Sequence, residues 1–440
     1  MMLAVQLAAR GGRSPGALGM GAHDDADVPF TPGEDFPFED CAVAALDADA
    51  FLEPLAYAMR CHVLLECRRV LRPGGALRIA VTQPESVPQL VHLAALIGLE
   101  AAAHQPADHA LTFTKPSREV TGDPLVSIAI PAYNPPFFAQ CLDSAIAQTY
   151  DNIDIVVCDD SRGPEIEDIV RSRVGRRSVR YERNAERLRT RGNFVRCFER
   201  ANGEFVKFLC DDDLLAPQCV ERLLDAFRQS PDITLATSHR RRIDAAGAEL
   251  GDQPATVPIV AASSVIAGHT LANAMLMAGL NTIGEPSTAL FRKADFLDKG
   301  PRYFHFRGAP GHGVIDMVMW SALLMKGNAV YLRESLSCFR VHPSQRQHDP
   351  VTRQRSIASI RGLQDAWLEL GIHERHAPHL LLTRPFPPGD ADWDEVPVLG
   401  MSARRVSRKE PSASSASPAS ADHVIEGPGP RPPAARPESA

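Results

Sequence analysis

The chain has 440 residues, 44% of them hydrophobic and 23% charged, a globular composition with length for two or three domains. Its net charge of −7 excludes a global polycation, so nucleic acid is not the expected partner. The nine cysteines are odd in number and never spaced C-x-x-C, which argues against a disulfide framework or a zinc ribbon and fits a reducing, cytoplasmic setting. The longest apolar run, Leu90 to Ala103, is broken by His92 and Glu100 and falls short of the roughly 18–20 residues of a membrane span. The apolar N-terminus has no Lys or Arg before it and is a poor export signal.

In chain order, residues 1–33 are rich in Gly, Ala and Asp without periodicity and read as a flexible N-terminus offering no strand. Residues 34–115 read as an α/β segment. It comprises a strand at Cys41–Leu46, a helix over Phe51–Leu71 capped by the Pro73-Gly74-Gly75 turn, a strand at Ala76–Val81, a helix over Val87–Leu99 and a strand near Leu111–Phe113. The polar, proline-punctuated stretch 116–124 reads as a linker. Residues 125–385 open with strands expected at Val126–Ala132, Ile153–Asp160, Val179–Asn184 and Glu204–Cys210, each followed by a helical pattern, which implies a parallel sheet covered on both faces. A mixed half follows, with strands at Ile233–Ile243, Thr288–Phe291 and Val330–His342 and a helix near Leu271–Met277. Residues 386–440 read as a low-complexity, disordered tail.

Ligands of a parallel sheet bind beyond the carboxyl ends of its strands. Those ends carry Pro131-Ala132-Tyr133-Asn134, Asp159-Asp160-Ser161 and Asp211-Asp212-Asp213, so five carboxylates would meet at one rim, a costly arrangement without cations or hydrogen-bond donors. Adjacent carboxylates suit Mg²⁺ or Mn²⁺, whose other positions go to water and phosphate. Alternatively, Asp159-Asp160-Ser161 is simply a helix N-cap.

The segments Val126-Ser-Ile-Ala-Ile-Pro-Ala-Tyr-Asn134, Leu142-Asp-Ser-Ala-Ile-Ala-Gln-Thr149, Ile155-Val-Val-Cys-Asp-Asp-Ser161 and Gly203 through Pro217 resemble, in order and spacing, the motifs of family 2 glycosyltransferases over about 126–345. The resemblance implies an α/β fold of the GT-A type, a Rossmann-like mixed sheet sandwiched by helices. It also implies an inverting, metal-dependent transfer of sugar from a nucleotide-sugar, a UDP-sugar, to a hydroxyl acceptor in polysaccharide or glycolipid assembly. Pro131, Tyr133 and Asn134 would line the nucleotide pocket, Asp160 would accept from the base, and Asp211 would lie near the ribose or sugar. Asp212 would be the chief ligand of Mg²⁺ or Mn²⁺, with Asp213 and His342 as further candidates. The last belongs to Phe339-Arg-Val-His342, similar to the family's aromatic-Arg-x-His segment. Cys210 stands where the family often has an Asp. Ile315-Asp316-Met-Val-Met-Trp320 resembles the family's Glu-Asp-x-x-x-Trp, which makes Asp316 the general base. Read without the family, Asp316 is equally a helix-start residue.

Eleven Arg and three Glu lie between Arg171 and Arg200. The strip could draw phosphates or an anionic membrane surface, giving a membrane-peripheral enzyme, or be a solvated face laced to Glu182 and Glu186. No aromatic interleaving points to nucleic acid. The run His62 to Ala80 resembles the second half of a class I methyltransferase. Its glycine loop has no counterpart, since Gly11-Gly12 follows no strand-like run, so no methyl transfer is expected. The alternatives to transferase activity are a catalytically silent nucleotide-binding module and, less supported, an S-adenosylmethionine-dependent enzyme.

Overall fold

The computed structural model describes residues 4–7, 18–21, 28–29, 31, 33–48, 51–102, 110–173, 175, 177–297, 304–345, 349–389 and 391–402. They form two large sheets. The first comprises β1 (Ala4–Leu7), β2 (Leu18–Gly21), β3 (Val28–Pro29), β4 (Val43–Ala48), β5 (Leu71–Ala80), β6 (Glu100–Ala101) and β7 (Ala110–Thr114), in spatial order β3-β2-β1-β4-β5-β7-β6. Strands β3 to β5 run parallel, and β7 is antiparallel to both its neighbours.

Three expectations need correction here. Residues 1–33 do contribute strands: β1 pairs with β4, so a strand precedes Gly11-Gly12, which themselves lie outside the described residues. The first helix spans Tyr57–Val70 and ends without a glycine cap, its C-cap Leu71 being extended. Pairing explains the difference. Leu71 pairs with Val43 in β4, and the Arg69 guanidinium donates to Phe36 and Phe38 carbonyls at 2.8 and 2.7 Å, so the chain leaves the helix early into β5. Gly74, at φ +74°, lies inside that strand beside a register shift. The third correction concerns the tail: regular structure continues past 385 with a strand at Asp394–Pro397, while 403–440 lie outside the described residues.

The second sheet contains β8 (Val126–Ala132), β9 (Ile153–Asp159), β10 (Val179–Arg183), β11 (Phe205–Phe208), β12 (Leu214–Leu215), β13 (Ile233–Ile243), β14 (Glu249–Leu250), β15 (Ser264–Ile266) and β16 (Ala289–Arg292). A small hairpin of β17 (His305–Phe306) and β18 (Ala309–Pro310) stands apart, and β19 (Asn328–Arg340), β20 (Leu380–Pro385) and β21 (Asp394–Pro397) complete the sheet. Its order is β10-β9-β8-β11-β16-β13-β19-β15-β20-β21, parallel from β10 to β11 and mixed beyond. Every residue of β8 is buried, as a strand covered on both faces requires; its sequence is apolar but for Ser127, whose hydroxyl donates to Asp154.

Alternation along the strands divides the core. Val126, Ile128, Ile130, Ile155 and Val157 pack against the helices Pro135–Ile146, Glu165–Arg171 and Cys219–Gln229. Ala129, Val156, Cys158 and Val206 face the helices Arg189–Arg200, Gly268–Ala278 and Ile315–Leu324. The architecture is therefore the mixed α/β sheet flanked by helices that the sequence implied.

The apolar cluster on this second face is continuous with the core of the first sheet, joining Val43, Leu64 and Leu77 to Phe198, Trp320 and Trp367. Charge crosses the same boundary. Asp232 pairs with Arg68 at 3.2 Å and Lys115 at 3.3 Å, and Arg118 of the 116–124 joint pairs with Asp295 at 2.9 Å. Burial pushes the Asp232 carboxyl up, but Arg68, Lys115 and Arg118 together outweigh it and hold the group below its ordinary range.

Candidate active site

A cavity of about 1310 Å³ opens at the carboxyl ends of β8, β9 and β11, where the sheet rule places a ligand. Its lining contains all nine residues singled out above: Pro131, Tyr133, Asn134, Asp160, Asp211, Asp212, Asp213, Asp316 and His342. The three consecutive aspartates, however, do three different things.

Asp211 Oδ2 accepts from the backbone N–H groups of Tyr133 and Asn134, fixing the turn that follows β8. Asp213 is buried with both oxygens engaged: Oδ1 accepts from the Arg340 N–H at 3.0 Å and Oδ2 from the Ser287 hydroxyl at 2.6 Å. Burial, with the Asp212 charge beside it, raises this carboxyl. Asp212 differs, since its Oδ2 meets His342 Nε2 at 3.0 Å, while His342 Nδ1 meets the Ser344 hydroxyl at 2.8 Å. His342 also packs on the Phe137 ring, with centroids 4.6 Å apart. Among the described residues no three or more His, Cys, Asp or Glu side chains gather into a metal cage, and at this turn Asp212 and His342 meet as a pair.

The second acidic turn is likewise divided. Asp159 Oδ1 accepts from the Ser161 N–H at 2.8 Å and Oδ2 from the Tyr181 hydroxyl at 2.7 Å. Asp160 Oδ1 accepts from Asn184 Nδ2 and the Leu188 N–H, and Oδ2 from the Arg189 N–H at 2.8 Å. The following helix, Glu165–Arg171, has Pro164 at its N-cap, so neither aspartate caps it. Asp160 holds the 184–189 loop against the cavity instead. Arg189 adopts φ +62° there, and the Arg187 guanidinium lies 4.7 Å above the ring of Tyr133, itself 41% exposed.

Asp316 lies in the first turn of the helix Ile315–Leu324. Its Oδ1 accepts from the Met317 N–H at 2.8 Å and its Oδ2 from Asn281 Nδ2 at 2.8 Å. Burial pushes the carboxyl up to about 6. Trp320, one turn on, is fully buried and donates Nε1 to the Gly284 carbonyl at 2.9 Å.

The arginine strip is laced to acids. Arg171 pairs with Glu167, Arg173 with Asp143, Arg180 with Asp154, and both Arg196 and Arg200 with Glu182. Residues missed by sequence reasoning are Asn281 and Ser287, which donate to Asp316 and Asp213, and the pair Arg240 and Glu285 beside them. Only the period-2 placement of Arg240 on an apolar strand hinted at an inward side chain.

Residues 127–296 match the model for glycosyl transferase family 2, so the chain carries a family 2 glycosyltransferase domain. An uncharacterized protein of Mycobacterium tuberculosis is 28% identical over 255 residues, 54% of this chain and 72% of its own length. An uncharacterized glycosyltransferase of Rickettsia prowazekii is 24% identical over 251 residues, 56% of this chain and 70% of its own. Chondroitin synthase of Escherichia coli is 31% identical over 128 residues, but that is only 18% of its length. Among solved structures, S. aureus TarS 1–349 in complex with UDP-GlcNAc gives a TM-score of 0.42 at 14% identity, covering 57% of this chain and 73% of its own.

Proposed function

We propose that the family 2 glycosyltransferase domain, completed by the Asp316 helix and the Arg340–His342 segment, transfers a glycosyl unit from a UDP-sugar to a saccharide or glycolipid hydroxyl with inversion. The observation that carries this reading is that the Asp212–His342 pair and the Asp316 carboxyl share one cavity of about 1310 Å³, roomy enough for donor and acceptor together. Tyr133 offers an exposed ring to the donor, on a turn pinned by Asp211.

Asp212 and His342 fit a divalent cation, Mg²⁺ or Mn²⁺. One carboxylate oxygen and one imidazole nitrogen already converge at 3.0 Å, Ser344 holds the other ring nitrogen, and a two-donor site leaves positions for water and diphosphate oxygens. When bound, such an ion supplies positive charge to a departing diphosphate. Asp316 removes the acceptor hydroxyl proton as its oxygen bonds to the anomeric carbon. A carboxyl raised to about 6 is still mostly ionised at neutral pH and is a stronger base than a free one.

Diphosphate release from a panel of nucleotide-sugars, with Mn²⁺ or Mg²⁺ and with chelator, tests donor, cation and activity together. Turnover with one donor, lost on chelation, is expected. Donor binding without turnover across the panel would replace this reading with that of a silent nucleotide-binding module. We place the reaction in the cytoplasm on the strength of the cysteine usage. Among the described residues no helix is long and apolar enough to cross a membrane.

A further inference from the structure

The segment between the family's aspartates and Asp316 carries no recognisable motif, yet the loop after Gly279 is built around Asp316. The helix Gly268–Ala278 ends on Gly279 in the left-handed conformation, and the chain turns at once into 280–285. Within that turn Asn281 closes a ring on its own backbone: Oδ1 accepts from the Gly284 N–H at 3.0 Å and Nδ2 donates to the Gly284 carbonyl at 2.9 Å. The second Nδ2 proton goes to Asp316 Oδ2 at 2.8 Å.

The ring is itself immobilised. Trp320 Nε1 donates to the same Gly284 carbonyl. Beneath the loop lies Arg240, 3% exposed, which donates to the Ile283 carbonyl at 3.3 Å and the Ala255 carbonyl at 2.8 Å, while its Nε faces Glu285 Oε2 at 2.8 Å. Gly284 sits at φ +116°, and a Cβ there would come within 2.7 Å of the Arg240 guanidinium carbon, so the loop closes down directly on the arginine. A side-chain amide held at two points on a braced loop has little rotational freedom left, so its remaining donor is pre-aimed.

We infer that Asn281 is a positioning residue for Asp316: closed on its own backbone, it fixes the rotamer of the carboxylate and donates to its charged form. The inference rests on the assignment of Asp316 as the base. Burial raises Asp316 most, and the Glu285 charge, itself paired with Arg240, raises it too; the Met317 N–H, the Asn281 amide and the N–H of Asp316 itself lower it. Without Asn281 the lowering hydrogen bond disappears while burial and Glu285 stay.

The test uses the full chain labelled with [¹³Cγ]aspartate. The Asp316 resonance is identified by its loss in Asp316→Asn, and its titration midpoint is compared in wild type, Asn281→Ala and Asn281→Asp. One lost hydrogen bond to a carboxylate predicts an upward shift of about one pH unit in Asn281→Ala. A larger shift is expected in Asn281→Asp, which keeps the size and the bond from the Gly284 N–H but sets a second carboxylate against the first. The acid limb of the kcat profile for diphosphate release should move by the same amount, with activity recovering at higher pH. An unmoved midpoint in Asn281→Asp, or activity lowered equally at every pH, overturns the inference. Full activity of Asp316→Asn overturns instead the assignment of the base, whatever the titration shows.

Discussion

In the first sheet the acids are closed off by their own neighbours. Glu53 accepts from the N–H groups of Thr82 and Gln83, and Glu66 accepts from the Phe36 N–H and the Arg69 guanidinium. In the second sheet Asp159 and Asp213 are closed off in the same way, and Asp316 accepts at both oxygens as well, but Asp212 and Asp316 line a large cavity. Both sheets are built on parallel strands over one continuous apolar core, so fold alone does not separate a working site from a support. What separates the two regions is the cavity that Asp212 and Asp316 line.

The strongest way to break that contrast is Asp316→Asn, which keeps the shape and removes the base. Diphosphate release should fall by about 10²–10⁴-fold, with nucleotide affinity by calorimetry nearly unchanged. Asp212→Ala should lose activity to a similar degree and, in the presence of Mn²⁺, nucleotide affinity as well. Wild-type turnover in either variant removes the role assigned to that residue.

Next in size is Asp232→Ala, at the joint between the sheets. It leaves Arg68 and Lys115 buried without their shared partner, for a loss of roughly 3–5 kcal/mol in urea unfolding. The Asp232 carboxyl lies below its unfolded value, so its contribution is complete above about pH 4 and is lost as pH falls through the depressed folded value. The stability gap between wild type and variant should therefore close on acidification. A gap that persists at low pH would mean the joint is not electrostatic.

Gly98→Ala probes the same joint by shape. Gly98 has φ +80°, and a Cβ would come 2.8 Å from Lys326 Cβ and 3.0 Å from its carbonyl oxygen, a contact between the two regions that cannot absorb a methyl group without movement. A loss of roughly 1–3 kcal/mol is expected, read from the unfolding midpoint. No loss would mean the first sheet rides loosely on the second.

Much of this was legible in the sequence because the signals were local. The β8 run Val126–Ala132 and the β13 run Ile233–Ile243 are continuous strand-forming stretches, and both were bounded to the residue. Of the nine cavity residues, those at 131–134, 160 and 211–213 stood out because strand-end polar residues share a location by topology, whereas Asp316 and His342 stood out only through the segments that resemble the family's. What escaped depends on distant pairing. The Pro73-Gly74-Gly75 sequence is an equally good helix stop or strand kink, and only the pairing of Leu71 with Val43 decides between them. The strands at Ala4–Leu7 and Leu18–Gly21 are four residues each and carry no alternation to announce them. Asn281 is one polar residue in an unpatterned loop, and its meaning arises only when Asp316, 35 residues later, is brought to 2.8 Å.

The smallest effect sharpens the contrast within the arginine strip. Arg200 is tied to Glu182 on the surface, whereas Arg187 lies 4.7 Å over the Tyr133 ring at the cavity. A cation held over an exposed ring is worth about 0.5–1 kcal/mol, so Arg187→Ala should weaken nucleotide binding by roughly two- to fivefold as Tyr133 loses its rigid backing. Arg200→Ala should leave binding unchanged, because exposed ion pairs contribute little and this one is remote from the cavity lining. Equal losses in the two variants would mean that the strip acts on the nucleotide through its summed field, and raising the salt concentration would then erase both losses together.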